Sequence, residues 1–411
     1  MLSVLWSVLI MVVAMAGPSI DGTQSAFSAV TADASNTFAS AATFCTATSA
    51  TALWVTGFEH GAMSTAGFGV ADDISTGTGS SITASATGKR NGAYGIRVTK
   101  ANNSQAWYYK SFTPTGVVTL RMAFKLDALP GADVVALASV LPASGKELWI
   151  AYDAGLQRYA MRWSTNGAAG PEVGGAAVTA GSWQYLELKV DMASNPRRVD
   201  WRVNGVAQTA ATSSETGSTA TGMSLGSWQI PSGPFTLNAD DILVLSGGAA
   251  YPPGDGRVSA LHPSANDTHT NPGHFTNNGG SAIDSASWSR LDDAPFGSDM
   301  EWVTQVTGNA ASMLGFQIED TAEPCINAVW GLSGHTSPGT WNGSTAVVVG
   351  GTTRVFHNAN FTGDQIHGGL IAPATSWSTA AVNGMTFRVG GSTSPDKPIW
   401  HSLMVEVDAA V

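Results

Sequence analysis

Apolar and polar residues alternate with a period of two through most of the chain from residue 53 onward. The alternation is clearest in VVTLRMAFKLD (117–127) and recurs in RYAMRW (158–163), YLELKVD (185–191) and VDWRVNG (199–205). This period is that of a β-strand with one face buried. After residue 20 we find no apolar stripe with the 3.6-residue period of a helix. The pattern predicts an all-β protein built from antiparallel sheets.

A glycine- and proline-rich segment, SGGAAYPPGDG (246–256), interrupts the strand pattern, which resumes beyond it. Such segments form short, fairly stiff connections. We therefore predict two β-sandwich (jelly-roll) domains, one over residues 51–248 and one over residues 257–411, joined by a Pro/Gly linker at 249–256.

The N-terminus differs from the rest of the chain. Residues 1–17, MLSVLWSVLIMVVAMAG, are apolar and uncharged, and residues 18–50 form an arm of mostly small and polar residues. We interpret residues 1–17 as a secretory signal peptide, with a retained signal anchor as the alternative. This predicts an extracellular or cell-surface protein that contacts a membrane only through an uncleaved N-terminal segment.

Charge and cysteine content exclude two classes of function. Charged residues make up 12% of the chain, and the net charge is −11. A nucleic-acid-binding face needs clustered Lys and Arg, which this sequence lacks. The two cysteines, Cys45 and Cys325, are too far apart in sequence for a C-x-x-C zinc motif. A disulfide bridge and two unpaired thiols both remain open.

The first half contains four short motifs in a fixed order: GFEHG (57–61), SWQYLELKVD (182–191), WRVNGV (201–206) and ADDILVL (239–245). In this order and spacing they resemble the concanavalin A-like jelly roll in its laminin-G-like form. The resemblance implies that the SWQYLELKVD strand runs beside the V-N-G hairpin. It also implies that the ADDILVL strand returns beside the first strand.

The same resemblance implies a metal site. Many jelly rolls of this kind hold a structural calcium with an early acidic residue, a late Asp and backbone carbonyls, which are the oxygen ligands that calcium prefers. The corresponding residues here are Glu59, Asp240 and Asp241. The alternative is that Asp240 or Asp241 accepts backbone N–H bonds at a strand end while Glu59 is solvated.

The second half carries a different resemblance. It opens with GDGRVSALHP (254–263) and closes with PDKPIWHSLMVEVD (395–408). It resembles a β-sandwich region of virion and tail proteins from phages of Gram-positive bacteria, and of related secreted proteins. This resemblance implies a structural role in a phage tail, a virion or a surface appendage, with self-association or contacts to other structural proteins.

Jelly-roll glycosidases carry an E-x-D-x-E triplet on one strand, and this chain has no complete copy. Glu406 and Asp408 fit the first two positions, but Ala410 takes the third. Glu187 and Asp191 lie about 13 Å apart on one strand face, too far for the paired-carboxylate mechanisms. We interpret both pairs as charges on a solvent face and expect no enzyme activity.

Consecutive aromatic residues give the functional signal. In SQAWYYKSF, Tyr108 must point away from Trp107 and Tyr109, and in KELWIAYD, Trp149 and Tyr152 lie on opposite faces. Exposed aromatic rings on a sheet can stack against sugars, so we predict these five as ligand-binding residues. The favoured function is a secreted, non-catalytic adhesion protein that binds a carbohydrate or another surface polymer. The alternative function is a structural component of a phage tail, a virion or a surface appendage. A third possible function is that of a glycoside hydrolase or polysaccharide lyase.

Overall fold

The protein is described here by a computed structural model. It describes the ranges 52–61, 63, 71–164, 172–228, 233–292, 301–341, 344–358, 361–371, 377–392 and 398–410. The chain divides into a unit of residues Met1–Thr43, outside the described ranges, and a unit of residues Phe44–Val411 that contains every element below. The predicted signal segment and arm, residues 1–17 and 18–50, lie outside the described residues.

The first half of the described chain folds into strands joined by turns. These strands are β1 (Ala52–Thr56), β2 (Asp73–Thr76), β3 (Ser81–Ser85), β4 (Gly95–Lys100), β5 (Ala106–Thr115), β6 (Val117–Leu126), β7 (Val134–Pro142), β8 (Glu147–Asp153), β9 (Arg158–Ser164), β10 (Glu172–Ala177), β11 (Gln184–Asp191), β12 (Arg197–Val203), β13 (Val206–Ala207), β14 (Ala211–Ser213), β15 (Ala220–Ser227) and β16 (Phe235–Ser246).

They form two antiparallel sheets that face each other. Sheet 1 has the order β10-β9-β8-β7-β15-β5-β2. Sheet 2 has the order β13-β12-β11-β6-β16-β4-β3, with β1 added to β16 and β14 added to β12. Consecutive strands pair at one end of each sheet, whereas β6 pairs with β16 and β5 pairs with β15 across long stretches of sequence, as in a jelly roll. The predicted all-β fold of two β-sandwich domains is confirmed.

The second half adds a further set of strands and a few short helices. The strands are β17 (Gly256–Leu261), β18 (Pro263–Asn266), β19 (Phe275–Asn277), β20 (Val303–Gln305), β21 (Met313–Ile318), β22 (Ile326–Trp341), β23 (Ser344–Val349), β24 (Thr352–Asn358), β25 (Phe361–Leu370), β26 (Thr386–Gly390) and β27 (Ile399–Ala410). The helices are α1 (Thr379–Asn383) and the 3₁₀ turns Pro272–His274, Asn278–Gly280 and Ser287–Arg290. Ser378 caps α1 by accepting a hydrogen bond from Ala381 N.

These strands form two more sheets. Sheet 3 has the order β19-β20-β27-β22-β25, with β17 paired to β27, and sheet 4 has the order β18-β21-β26-β23-β24. Their facing surfaces enclose a core that includes Phe316 and Phe387 from sheet 4 and Leu403 and Val405 from sheet 3. Sheet 3 is therefore covered on this face by sheet 4.

The other face of sheet 3 packs against sheet 2. Trp330, Leu332, Ile366 and Met404 of sheet 3 belong to the same buried cluster as the core of the first sandwich. The sheets therefore stack in the order 1, 2, 3, 4. Strands β16 and β27 lie in the middle layers, which explains why both are buried along almost their whole length.

The closure implied by the sequence motifs is present in sheet 2. Strand β1 pairs antiparallel with β16, with Trp54 opposite Val244 and Thr56 opposite Ile242. Strand β11 pairs with β12, which precedes the V-N-G turn. Between β16 and β17 lies the linker predicted at 249–256, and the exact domain division there stays a prediction.

Cys325 is disulfide-bonded, which excludes an unpaired thiol at this position. Cys45, the other cysteine of the sequence, lies outside the described residues. Within the described ranges, no helix has the length and apolar character needed to cross a membrane.

Candidate functional site

Strand β5 presents an aromatic pair on the outer face of sheet 1. Trp107 and Tyr109 are half-buried, and their rings stack with centroids 5.8 Å apart and an angle of 30° between the planes. Tyr108 between them points into the core, where it stacks on Trp54. The alternation predicted for these three residues is present, and it leaves Trp107 and Tyr109 as the accessible pair.

Polar side chains continue from this pair across the sheet. Ser224 and Ser139 lie next to Tyr109 in register, and their hydroxyl groups are 2.7 Å apart. Further along the same row Arg162 donates to Glu172 at 2.6 Å. We call this set the outer row, which runs in register through Asp73, Tyr109, Ser224, Ser139, Trp149, Arg162 and Glu172.

The remaining two predicted aromatic residues are less accessible. Trp149 lies on the outer face, but it is fully buried there and its Nε1 donates to Glu147 Oε2 at 2.8 Å. Tyr152 points between the two sheets and is also fully buried. The opposite orientation of the two side chains agrees with the alternation, whereas the expected exposure of one of them is wrong. Their role in binding stays a prediction.

A charged group borders the aromatic pair. Asp72, just before β2, accepts hydrogen bonds from the backbone and the hydroxyl of Ser111, and from Lys110 Nζ at 3.2 Å. Partial burial alone would raise the pKa of Asp72, but the Ser111 hydrogen bonds and the Lys110 charge outweigh it and lower the pKa. Asp72 is therefore an ionised acceptor beside Tyr109 at neutral pH.

Asp240 and Asp241 lie on the opposite side of the first sandwich, at a bulge in β16. The register with β6 shifts between Asp240 and Leu243, and Asp241 has a φ of 53°. A bulge re-aims side chains and explains why two consecutive acids both turn inward. Both residues are fully buried.

The carboxylates of Asp240 and Asp241 are surrounded by N–H donors. Asp240 accepts from Arg90 N at 2.6 Å, from Asn91 N at 3.2 Å and from Asp241 N at 2.8 Å. Asp241 accepts from Asn91 Nδ2 at 2.7 Å, from Arg90 Nη1 at 3.2 Å and from Val258 N at 2.7 Å. Burial raises the pKa of both groups, and the hydrogen bonds oppose that change.

Glu59 lies close to this pair and is only 4% exposed, so the alternative in which it is solvated is wrong. Its Oε2 accepts from Ala93 N at 2.7 Å and from Tyr94 N at 3.3 Å, while its Oε1 has no hydrogen-bond partner among the described atoms. Burial and, to a smaller extent, the charge of Asp241 raise the pKa of Glu59 to about 7. The two backbone N–H bonds act in the opposite direction and lower it.

The oxygen atoms of Asp240 and Asp241 that calcium would need already accept hydrogen bonds from N–H groups. Calcium takes six to eight oxygen ligands. Among the described residues, no group of three or more His, Cys, Asp or Glu side chains is placed to hold a metal ion. Calcium at Glu59, Asp240 and Asp241 stays a prediction, and these residues serve here as acceptors.

The interpretation of Glu187, Glu406 and Asp408 as charges on a solvent face is wrong. Glu406 is fully buried and accepts from Gly57 N at 3.2 Å and from Glu59 N at 3.0 Å. Asp408 forms a buried ion pair with Arg121. Glu187 is also buried and accepts from Gly254 N at 2.7 Å. Sheet 2 covers Glu406 and Asp408, and the linker at Gly254 covers Glu187, so none of these three carboxylates meets solvent.

The chain is similar to known proteins only at the level of solved structures. No protein-family model matches the sequence, and the search of curated proteins found no match. Among solved structures, the chain is similar to domain 4 of AbnA, a GH43 extracellular arabinanase from Geobacillus stearothermophilus, in complex with arabinotriose (16% identity, TM-score 0.32, 48% of this chain and 94% of that chain). It is also similar to the carbohydrate-binding module CBM66 from Bacillus subtilis (12% identity, TM-score 0.29, 42% of this chain and 95% of that chain).

A third similar structure is a sialidase, with 6% identity, a TM-score of 0.33 and 43% of this chain covered. The chain spans only 17% of the length of that sialidase. Similarities at these identities and TM-scores carry no argument about the activity or the ligand of this chain.

Proposed function

We propose that the protein is a secreted or surface-exposed, non-catalytic protein that binds a carbohydrate or similar surface polymer on the outer face of sheet 1. The observation that carries the proposal is the stacked, half-buried pair of Trp107 and Tyr109 on that face. Aromatic rings give a ligand a large apolar contact area, and a few polar groups beside them set its orientation.

Polar groups of the right kind flank the pair. Asp73 lies opposite Tyr109 on the edge strand β2, and Ser75 lies opposite Trp107. On the other side Ser224 and Ser139 continue the outer row, but both are buried and their hydroxyl groups bond to each other. Asp73, which is exposed, and Ser75, which is half-buried, are therefore the polar groups that would bond sugar hydroxyls.

The charge of this face narrows the ligand class. Asp73 lies on it, whereas Asp72 and Glu172 beside it are ion-paired with Lys110 and Arg162, and the chain as a whole carries a net charge of −11. A polyanionic ligand would be repelled by this field. We therefore expect a neutral polysaccharide.

Trp107→Ala and Tyr109→Ala test the proposal by affinity electrophoresis in gels containing neutral polysaccharides. Each change should weaken binding at least about tenfold, which corresponds to about 1.4 kcal/mol. Trp183→Ala is the matched control, because Trp183 is a half-buried aromatic residue next to sheet 2 that packs under Lys125. Equal weakening by the control, or full binding by both test variants, would contradict the proposal.

The alternatives predict other results. A phage-tail, virion or appendage component would bind none of the polysaccharides and would assemble with itself or with structural partners. A hydrolase or lyase would shorten the polysaccharide. The carboxylate pairs considered for a glycosidase include Glu187, Glu406 and Asp408, whose burial argues against the hydrolase.

A further inference from the structure

The guanidinium group of Arg90 lies between carboxylates from two parts of the chain. Its Nη1 is 2.8 Å from Asp255 Oδ1 and 3.2 Å from Asp241 Oδ2, and its Nη2 is 2.6 Å from Asp255 Oδ2. Nη1 also lies 3.2 Å from the carbonyl oxygen of Gly256. One side chain thus joins the β16 bulge to the start of β17.

We propose that Arg90 is the resident cation of this acidic junction, in place of a metal ion, and that it fastens the linker between the two sandwiches onto the first sandwich. This inference is independent of the proposed carbohydrate site, which lies on the outer face of sheet 1.

The geometry of the Asp255 contact supports this assignment. Both terminal nitrogens of Arg90 meet both carboxylate oxygens of Asp255, which is the paired geometry that makes Arg–carboxylate contacts strong and directional. Asp241 is almost fully buried beside it, and the Arg90 side chain is 21% exposed. A guanidinium partly screened from water interacts more strongly with such a carboxylate than one at an open surface.

The carboxylate oxygens of Asp240 and Asp241 are already used by neighbouring N–H groups, although Glu59 Oε1 nearby has no partner among the described atoms. The backbone N–H groups of Arg90 and Asn91 hold Asp240, and Asn91 Nδ2 and Val258 N hold Asp241. A metal ion would have to displace several of these bonds to gain its ligands. The loop carrying Arg90 therefore supplies both the donors and the positive charge of the site.

The first sandwich binds the end of the linker and the start of β17 at three nearby residues. Asp255 and Gly256 bind Arg90, and Val258 N binds Asp241. A Cβ atom at Gly256 would lie 2.1 Å from Arg121 Nη1 and 2.7 Å from Ala409 O, so only glycine lets the chain pass this close. The Pro/Gly segment thus ends in a fixed attachment.

The experiment compares the full-length wild type with Arg90→Ala and with Lys89→Ala, a matched control on the exposed neighbour in the same loop. Thermal unfolding is measured in excess EDTA and in added calcium chloride, and limited proteolysis measures cleavage within the linker, residues 249–256. We expect neither EDTA nor calcium to change the Tm of the wild type. Arg90→Ala should lower the Tm by roughly 5 °C and speed cleavage of the linker, whereas Lys89→Ala should do neither.

Two results would overturn the inference. The first is a lower Tm of the wild type in EDTA that calcium restores, because a metal ion would then be the cation. The second is an Arg90→Ala variant that matches Lys89→Ala in both Tm and cleavage rate.

If Arg90→Ala does not fold, Asp255→Asn gives a second readout. It removes the charge of a carboxylate that is 27% exposed and should speed linker cleavage in a folded protein. Cleavage at the wild-type rate would again overturn the inference.

Discussion

At the scale of single residues, Glu406 shows how the interior controls ionisation. Its carboxyl group is fully buried and accepts hydrogen bonds from Thr56 Oγ1, Gly57 N and Glu59 N. Burial, then the charge of Glu59, raises the pKa of Glu406 to about 8 from an ordinary value of 4.5. The folded protein therefore binds more protons than the unfolded chain between these two pH values, and its stability falls as the pH rises through that window.

Glu406→Gln should flatten this dependence, because Gln keeps an oxygen acceptor but does not ionise. The slope of the free energy of unfolding against pH should differ from that of the wild type by up to about 1.4 kcal/mol per pH unit inside the window. Urea unfolding from about pH 5 to pH 9 measures it. Glu215→Gln, which removes a carboxylate that is 31% exposed and lies 3.6 Å from Lys146 Nζ, is the control for loss of a charge outside the interior. An unchanged slope in Glu406→Gln would refute this account.

At the scale of elements, the pairing of β5 with β15 positions the aromatic pair. Trp107 lies opposite Gly226, and Tyr109 lies opposite Ser224. Gly226 has a φ of 82°, and a Cβ atom there would lie 2.2 Å from Ala106 O in β5. Glycine at this position therefore allows the two strands to approach each other directly beside Trp107.

Gly226→Ala should lower the free energy of unfolding by about 1–3 kcal/mol and weaken polysaccharide binding, because β5 must shift to relieve the contact. Gly181→Ala is the control, since Gly181 has a similar φ of 71° but open space around it. The control should lose some stability and keep full binding. Chemical unfolding and affinity electrophoresis measure the two effects. Equal binding by the two variants would show that the strand contact does not position Trp107.

At the scale of the whole molecule, sheets 2 and 3 form a common interior. Trp330, Leu332 and Met404 pack into the cluster that includes the core of the first sandwich. Arg121 of sheet 2 and Asp408 of sheet 3 form an ion pair inside this interface. Breaking a buried pair by removing one partner is strongly destabilising, so the first sandwich depends on the second for part of its stability.

A fragment of residues 51–250 should therefore unfold at a lower temperature than the full chain. It should also bind a dye for exposed apolar surface, because the outer face of sheet 2 loses its cover. Differential scanning calorimetry and dye fluorescence on both proteins measure these effects. A fragment that unfolds at the temperature of the full chain without binding dye would show that the first sandwich is independent.

The sequence by itself determined the strand class, which follows from the period of two. The pairing of β1 with β16 was implied by the resemblance to the concanavalin A-like jelly roll, which rests on the order of short motifs. It also indicated that Trp107 and Tyr109 share a face opposite Tyr108. Only the tertiary structure decided what covers each face. A period of two separates two faces but does not say whether water or another sheet covers either one, so the pattern alone places Glu187, Glu406 and Asp408 in solvent. The pairing of Arg90 with Asp241 and Asp255 was likewise beyond the sequence, because it joins segments about 150 residues apart through a bulge that sequence spacing does not reveal.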